Sequence, residues 1–182
     1  MLCRVGMTIS SCPKHFLERK VYPIPSKVFS SDHHHDDDLH RHLQATFSLT
    51  DFIINPVSNC FFPDLEPVWR ECARVLEPGG TLIWGFNNPV NFLFDCDESL
   101  KGNFVLKYAQ PYSDETCLTA EERERCMGVD SPYEFGHSWE TQIGALLRNG
   151  FILEDLFEDI WHKEQGLNKH FPLFIAARAR RL

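Results

Sequence analysis

The sequence has 182 residues, of which 43% are hydrophobic and 13% aromatic, so it can form one domain with a sizeable core but is short for two. Its formal net charge is −8, and residues 95–164 contain sixteen acidic and six basic residues, a net −10. Such a surface repels phosphate backbones, so general binding to DNA or RNA is not expected. No apolar run approaches the roughly 20 residues that span a membrane, and the first residues lack a secretory pattern. We therefore expect a cytoplasmic protein without membrane contact.

The seven cysteines favour free thiols over a disulfide framework. Their number is odd, and no two of them form a C-x-x-C pair. Scattered thiols of this kind are typical of a reducing compartment. Cys72 falls on the apolar face of a predicted helix, which indicates burial, and no nucleophile motif surrounds any of the seven.

The first 44 residues predict an irregular or partly disordered arm, and residues 45–182 predict a partial α/β domain. The arm has neither a helical nor a strand period for long. It also carries a tract of metal-ligand types, His33, His34, His35, Asp36, Asp37, Asp38, His40 and His42. Consecutive histidines cannot all point at one ion, so this tract predicts weak transition-metal binding rather than a catalytic metal centre.

A strand–helix–strand unit begins at Asp51. Residues 51–55 are a short, mostly apolar run, as in a parallel strand buried on both faces. Asp64 can cap a following helix, and Pro78-Gly79-Gly80 can end it. Its apolar residues recur every three or four positions, at Leu65, Val68, Trp69, Cys72, Val75 and Leu76. Residues 81–86 form the next strand, so the segment predicts a right-handed βαβ unit.

Residues 87–135 predict an insertion, with a strand at 104–108 and a helix from the Thr119 capping box to Met127. After the insertion, Ser138 is predicted to cap a helix that ends at Gly150. Its inward residues are predicted to be Ile143, Leu146 and Leu147. Two strands are predicted to follow, at residues 151–157 and 171–178, and a surface loop at 161–170 is predicted to join them.

Several segments in series resemble class I S-adenosylmethionine (SAM) methyltransferases of the small-molecule, type 11-like kind. They are Asn55-Pro56-Val57-Ser58-Asn59, Pro67 to Cys72, Arg74-Val75-Leu76-Glu77-Pro78-Gly79-Gly80, Lys107 to Asp114, Glu134 to Ser138, Gln142-Ile143-Gly144 and Phe171 to Arg178. The resemblance covers roughly residues 45–180.

This resemblance implies an α/β fold with a seven-stranded Rossmann-like sheet, helices on both faces and SAM across the carboxyl ends of its first strands. By order, this chain supplies strands four to seven, with an αβ insertion after strand five. The family's first half also carries a Gly-rich turn and an acidic residue that binds the ribose hydroxyls. Here Gly6 is the only glycine before Gly79, so the expectation is a truncated, C-terminal half of the fold with impaired cofactor binding.

The resemblance also suggests site residues. The cofactor-binding candidates are Asn55, Pro56, Val57 and Ser58, because ligands of open α/β sheets bind at the carboxyl ends of strands. The same residues are equally compatible with a strand end turned by proline. His137 is the candidate general base for an acceptor hydroxyl or amine, or a residue that only caps and packs. The candidate acceptor contacts are Asn87, Asn88, Tyr108, Tyr112 and Trp139, with turn formation and packing as the alternatives.

Two functions follow as hypotheses. The first is SAM-dependent methyl transfer to a small molecule by direct displacement at the sulfonium methyl. The second is a non-catalytic remnant or interaction module that pairs with a partner or with itself through a sheet edge exposed beside Phe52 to Ile54. A misassigned gene start is a third explanation for the short front part.

Overall fold

The structure is a computed structural model that describes residues 50–160 and 166–182, and its main feature is a four-stranded mixed sheet. Its strands are β1 (Thr50–Asn55), β2 (Leu76–Asn87), β5 (Phe151–Asp159) and β6 (Phe174–Arg181). The spatial order is β1-β2-β6-β5, in which β1 runs parallel to β2 and the other two pairs are antiparallel. A separate two-stranded ribbon joins β3 (Tyr112–Ser113) to β4 (Phe135–Gly136). The predicted α/β fold class is confirmed.

The first face of the sheet carries the largest apolar cluster. Every second residue of β2 points to this face, because side chains alternate along a strand: Leu82, Trp84 and Phe86. They pack with Leu65 and Trp69, which come from the start and the body of the preceding helix. Trp69 and Trp84 are both fully buried and meet edge to face, with ring centroids 5.6 Å apart. The second face carries a smaller cluster of strand residues, Phe52, Ile83 and Ala176.

The helix between β1 and β2, α1, spans Glu66–Val75 and follows the predicted stripe. The carboxylate of Asp64 accepts a hydrogen bond from the backbone N–H of Glu66 at 3.0 Å, as predicted for a capping residue. The helix ends one residue earlier than the stripe suggested, because Leu76 already has an extended backbone and starts β2.

Pro78-Gly79-Gly80 lies within β2 rather than in a turn before it. Thr50 pairs with Leu76, whereas Phe52 pairs with Thr81, so the intervening residues form a bulge on β2. Gly79 has φ +83°, a conformation that glycine adopts without steric cost.

The insertion after β2 consists of short elements. A 3-10 helix (Pro89–Phe92) leads into α2 (Cys96–Leu100). Two more helices, α3 (Asp114–Cys117) and α4 (Ala120–Met127), follow β3 and precede β4 along the chain. The Thr119–Glu122 capping box at the start of α4 is confirmed. The predicted strand at 104–108 is wrong. Its place is taken by an isolated antiparallel bridge between Phe94 and Leu106, because the backbone bonds of this stretch go to the short segment at Leu93 and Asp95 and not to a longer strand.

Two cysteines of the insertion correct the prediction of free thiols. Cys96 at the start of α2 and Cys126 in α4 form a disulfide across 30 residues, and both are buried. An ion pair between Asp97 and Arg125, at 2.8 Å, joins the same two helices. Cys60, Cys72 and Cys117 are free, as predicted.

The helix after the insertion starts with a π-helical turn, Glu140–Gly144, and continues as α5 (Ala145–Arg148). The side chain of Ser138 accepts from the backbone N–H of Thr141 at 3.2 Å, which confirms its capping role. Leu146 is fully buried as predicted, but Leu147 is 44% exposed. The prediction for Leu147 is wrong because the wider π turn rotates the residues after it relative to a regular α-helix.

The final strand, β6, begins three residues later than predicted. The segment before it, which was predicted to be a surface loop, contains a 3-10 helix (Gly166–Lys169). Leu167 in this helix is buried, so this residue differs from the prediction. The predicted arm, residues 1–44, and its His/Asp tract lie outside the described residues.

Candidate functional site

The segment after β1 connects three parts of the molecule at the carboxyl end of the sheet. The 3-10 helix Asn59–Phe61 follows the predicted cofactor residues Asn55 to Ser58 directly. This is the edge of an α/β sheet at which ligands bind, because β1 and the parallel β2 both end there. We call residues 55–62 the β1 loop.

Four polar side chains in series fix the β1 loop. Ser58 Oγ donates to Asn55 Oδ1, and Asn55 Nδ2 donates to Asn59 Oδ1 at 2.8 Å. Asn59 Nδ2 donates in turn to Gln142 Oε1 at 2.8 Å, so the chain of bonds reaches the π turn. Asn59 and Gln142 are both buried, so each supplies a hydrogen-bond partner to a polar group that water does not reach.

Val57 adopts a backbone conformation that is rare for its residue type. Its φ is +42°, in the left-handed region, which a β-branched side chain enters only at a steric cost. Its side chain is 3% exposed and packs with Leu167, Leu173 and Phe174. Pro56 beside it is exposed. The β1 loop is therefore held by tertiary contacts rather than by the preferences of its own residues.

His137, the predicted base, lies under the β1 loop. It is 7% exposed, and its Nε2 lies 2.8 Å from the carbonyl oxygen of Phe62. Because a carbonyl only accepts, Nε2 carries the hydrogen, and only Nδ1 of the neutral ring has a lone pair for a base. Burial lowers the pKa of His137, while hydrogen bonds with the backbone of Phe62 and Asn59 oppose this effect. Burial therefore favours the neutral form of the ring.

Asn87 and Asn88 end β2 and differ in their bonding. Asn88 caps the next 3-10 helix, since its Oδ1 accepts from the backbone N–H of Val90 at 3.2 Å, and its Nδ2 donates to the Pro172 carbonyl at 3.0 Å. Asn87 is only 4% exposed, and within residues 50–160 and 166–182 neither its Oδ1 nor its Nδ2 has a hydrogen-bond partner. A buried, unsatisfied carboxamide of this kind is unusual in a folded protein.

Tyr108 and Tyr112, two of the candidate acceptor contacts, lie together in the insertion. Their ring centroids are 5.2 Å apart, and they pack with Cys60 of the β1 loop and with Phe92. The Tyr112 hydroxyl donates to buried Asp114 at 2.7 Å, which gives Tyr112 a structural partner. Burial raises the pKa of Tyr108, and the nearby Lys107 ammonium opposes the rise.

Trp139, the remaining candidate, lies on the first face of the sheet. It is 43% exposed and contacts Phe86 edge to face, with centroids 5.6 Å apart. Asn87, one residue further along β2, lies on the opposite face because side chains alternate along a strand. The structure therefore divides the predicted acceptor residues among separate places: the end of β2, the tyrosine pair and the first face.

Sequence reasoning missed Asn59 and Gln142 as members of the site. Asn59 stood within the quoted segment after β1, and Gln142 within the segment before Gly144, but no spacing rule connects residues 83 apart. It also missed the Gly136 contact with Phe92, where a Cβ would lie 2.6 Å from the ring. The signal was the short Glu134-to-Ser138 segment, in which glycine precedes the histidine.

Two general features are negative within the described parts of the chain. Every helix in residues 50–160 and 166–182 is too short or too polar to span a bilayer. The same residues contain no group of three or more histidine, cysteine or acidic side chains placed to hold a metal ion.

Comparison with known proteins finds similarity to methyltransferases. Residues 33–84 match the sequence family described as a methyltransferase domain. An uncharacterized methyltransferase of Bacillus subtilis (strain 168), YbaJ, is 40% identical over 109 residues, which are 60% of this chain and 43% of that protein. The chain therefore spans less than half the length of this relative.

Two solved structures are similar in fold. The SAM-dependent methyltransferase of Mesorhizobium loti aligns with a TM-score of 0.52 at 16% identity, covering 74% of this chain and 62% of that one. A putative SAM-dependent methyltransferase of Listeria monocytogenes gives the same TM-score and coverage at 15% identity. At these identities the likeness shows the fold, which is the Rossmann-like fold of methyltransferases.

Proposed function

We propose that the chain is a member of the class I SAM-dependent methyltransferase family and takes part in SAM-dependent methyl transfer to a small-molecule acceptor. The observation that carries the proposal is the β1 loop, because a buried polar network and a strained valine hold it at the carboxyl end of β1. Backbone strain of this kind is concentrated at functional sites. The acidic surface supports a small acceptor over a nucleic acid.

The residues of the β1 loop fit part of a SAM site. SAM supplies a methyl group on a sulfonium centre, and the loop offers neutral groups at the strand end: the carboxamide of Asn55, the exposed ring of Pro56 and the hydroxyl of Ser58. Asn55 and Ser58 hold each other, so either can turn outward only by exchanging one partner for another. Because Gly6 is the only glycine before Gly79, we propose that residues 1–182 bind SAM weakly.

Catalysis in such a site depends mainly on holding the acceptor and the methyl group in line. We propose that His137 contributes by position, since it holds the carbonyl of Phe62 and with it the end of the β1 loop. A general base would have to act through Nδ1, because Nε2 donates to the Phe62 carbonyl. A pH–rate profile separates the two roles, because a base gives a rate that rises with deprotonation of His137 and a positioning residue does not.

Calorimetric titration of the chain with SAM tests the proposal. We expect saturable heat with a dissociation constant in the millimolar range, weakened by Ser58→Ala, which removes a hydroxyl bonded to Asn55. Ser99→Ala is the matched control, since the Ser99 hydroxyl bonds only the backbone of Asp95 in the insertion. Absence of heat at millimolar SAM would refute cofactor binding by this chain.

The second candidate function is an interaction module. β1 is one of the two outer strands of the described sheet, and an outer strand offers backbone groups for pairing with another strand. Light scattering that shows association rising with concentration, together with no heat from SAM, would favour this function over methyl transfer.

A further inference from the structure

The second face of the sheet carries an apolar corner next to Asn87. Its buried members are Val57, Leu167, Leu173 and Phe174, and the partly buried rings packed on them are Phe94, Phe104 and Phe171. We call these seven residues the phenylalanine cluster. Phe94 meets Phe104 edge to face at 6.1 Å and stacks on Phe171 at 6.3 Å, so three rings share one place.

Asn87 and this cluster lie on the same face of the sheet. Asn87 pairs with Phe174 across the β2–β6 ladder, and paired residues of neighbouring strands point to the same face. Ile83, four residues earlier, also lies on this second face, which agrees with the alternation. The carboxamide therefore stands beside apolar side chains, with its oxygen and nitrogen both unpaired in the part of the chain that is described.

A second unpaired polar atom borders the same cluster. Asn168 follows Leu167, a buried member, and its Oδ1 is buried without a hydrogen-bond partner among residues 50–160 and 166–182. Each unsatisfied buried group of this kind costs free energy unless something binds it. An apolar site with a few unpaired polar groups is the usual form of a small-molecule site.

We propose that the phenylalanine cluster and the Asn87 carboxamide form a binding site for a neutral aromatic molecule that carries a carboxamide or a similar neighbouring donor and acceptor. Asn87 presents one acceptor and two N–H donors, so a primary amide satisfies both of its ends. A carboxylate would bring an unpaired charge among apolar rings. Only the identification of this ligand as the methyl acceptor rests on the proposed function.

Benzamide, benzoate and ethylbenzene, titrated separately into the full chain by calorimetry or by ligand-observed NMR, test the site. They share a ring and differ in the group that meets Asn87. We expect benzamide to bind at least ten-fold more tightly than the other two. Equal binding of the three compounds, or no binding of benzamide, would overturn the proposal.

The variant Asn87→Leu keeps the volume of the side chain and removes its polar atoms. We expect it to weaken benzamide binding about ten-fold while it raises the melting temperature, because it removes unpaired polar groups from an apolar place. Asn103→Leu, a change of an exposed asparagine in the insertion, should leave the affinity unchanged. Unchanged benzamide affinity in Asn87→Leu would overturn the role of Asn87. If Asn87→Leu does not fold, Asn87→Ser gives the same comparison.

Parallel SAM titration keeps the two proposals distinguishable. SAM binding without benzamide binding overturns this site and leaves methyl transfer in place. Benzamide binding that Asn87→Leu weakens, without SAM binding, supports the site and overturns the assignment of its ligand as a methyl acceptor.

Discussion

The pair Asn59 and Gln142 gives the sharpest test of how the β1 loop is held. Asn59→Ala removes the bond to Gln142 and the bond from Asn55, and leaves the buried oxygen of Gln142 unsatisfied. Two neutral hydrogen bonds contribute about 1 kcal/mol each, and an unsatisfied buried acceptor costs at least about 1 kcal/mol, so we expect a loss of at least about 3 kcal/mol. For a chain of this length, this corresponds to a fall in melting temperature of roughly 6–12 °C.

Urea unfolding of the wild type, Asn59→Ala, Gln142→Ala and the double variant measures the effect. The fluorescence of Trp69 and Trp84, both fully buried in the core, reports unfolding. If the two side chains act on each other, the double variant loses about 1–2 kcal/mol less than the sum of the single losses. Asn103→Ala is the control and should change stability by less than about 0.5 kcal/mol, because Asn103 and its hydrogen bond to Glu98 are exposed. Additive losses would refute a direct Asn59–Gln142 interaction.

Three further predictions concern the parts around the loop. Reduction of the Cys96–Cys126 disulfide should lower the free energy of unfolding by about 2–4 kcal/mol, measured with and without dithiothreitol, and mass spectrometry of the non-reduced chain should find these two cysteines linked. Because the pKa of His137 is lower in the folded chain than in the unfolded chain, the unfolded chain binds a proton at higher pH. The contribution of His137 to the free energy of unfolding should therefore be complete above about pH 6.5 and decrease at lower pH. In urea unfolding at several pH values, His137→Gln should make this decrease smaller. Gly136→Val should destabilise the chain by at least about 1–3 kcal/mol in thermal unfolding, because its Cβ would lie 2.6 Å from the Phe92 ring, and an unchanged melting temperature would contradict this packing.

The βαβ unit was predictable because its signals are local. The stripe from Leu65 to Leu76 has the helical period, and the run of residues 51–55 has the length of a strand, so each element could be assigned without its neighbours. The structure changes only the boundary, where Gly79 forms a bulge inside β2 rather than a turn.

The insertion and the polar site were predictable only in part, because their structure depends on distant contacts. The disulfide joins cysteines 30 residues apart with no motif between them. Asn59 meets Gln142 across 83 residues, and the exposure of Leu147 depends on a π turn that apolar spacing does not reveal. The candidate residues Asn87 and His137 were chosen from their places in the chain, yet the features that give them interest are burial and hydrogen bonding.

Val57 connects the proposed cofactor loop to the phenylalanine cluster. A backbone at φ +42° costs about 1–3 kcal/mol for such a residue, and burial of a valine side chain contributes about 1.5–3 kcal/mol in return. Because the two magnitudes are similar, the loop keeps this conformation only while Val57 stays packed against Leu167 and Phe174.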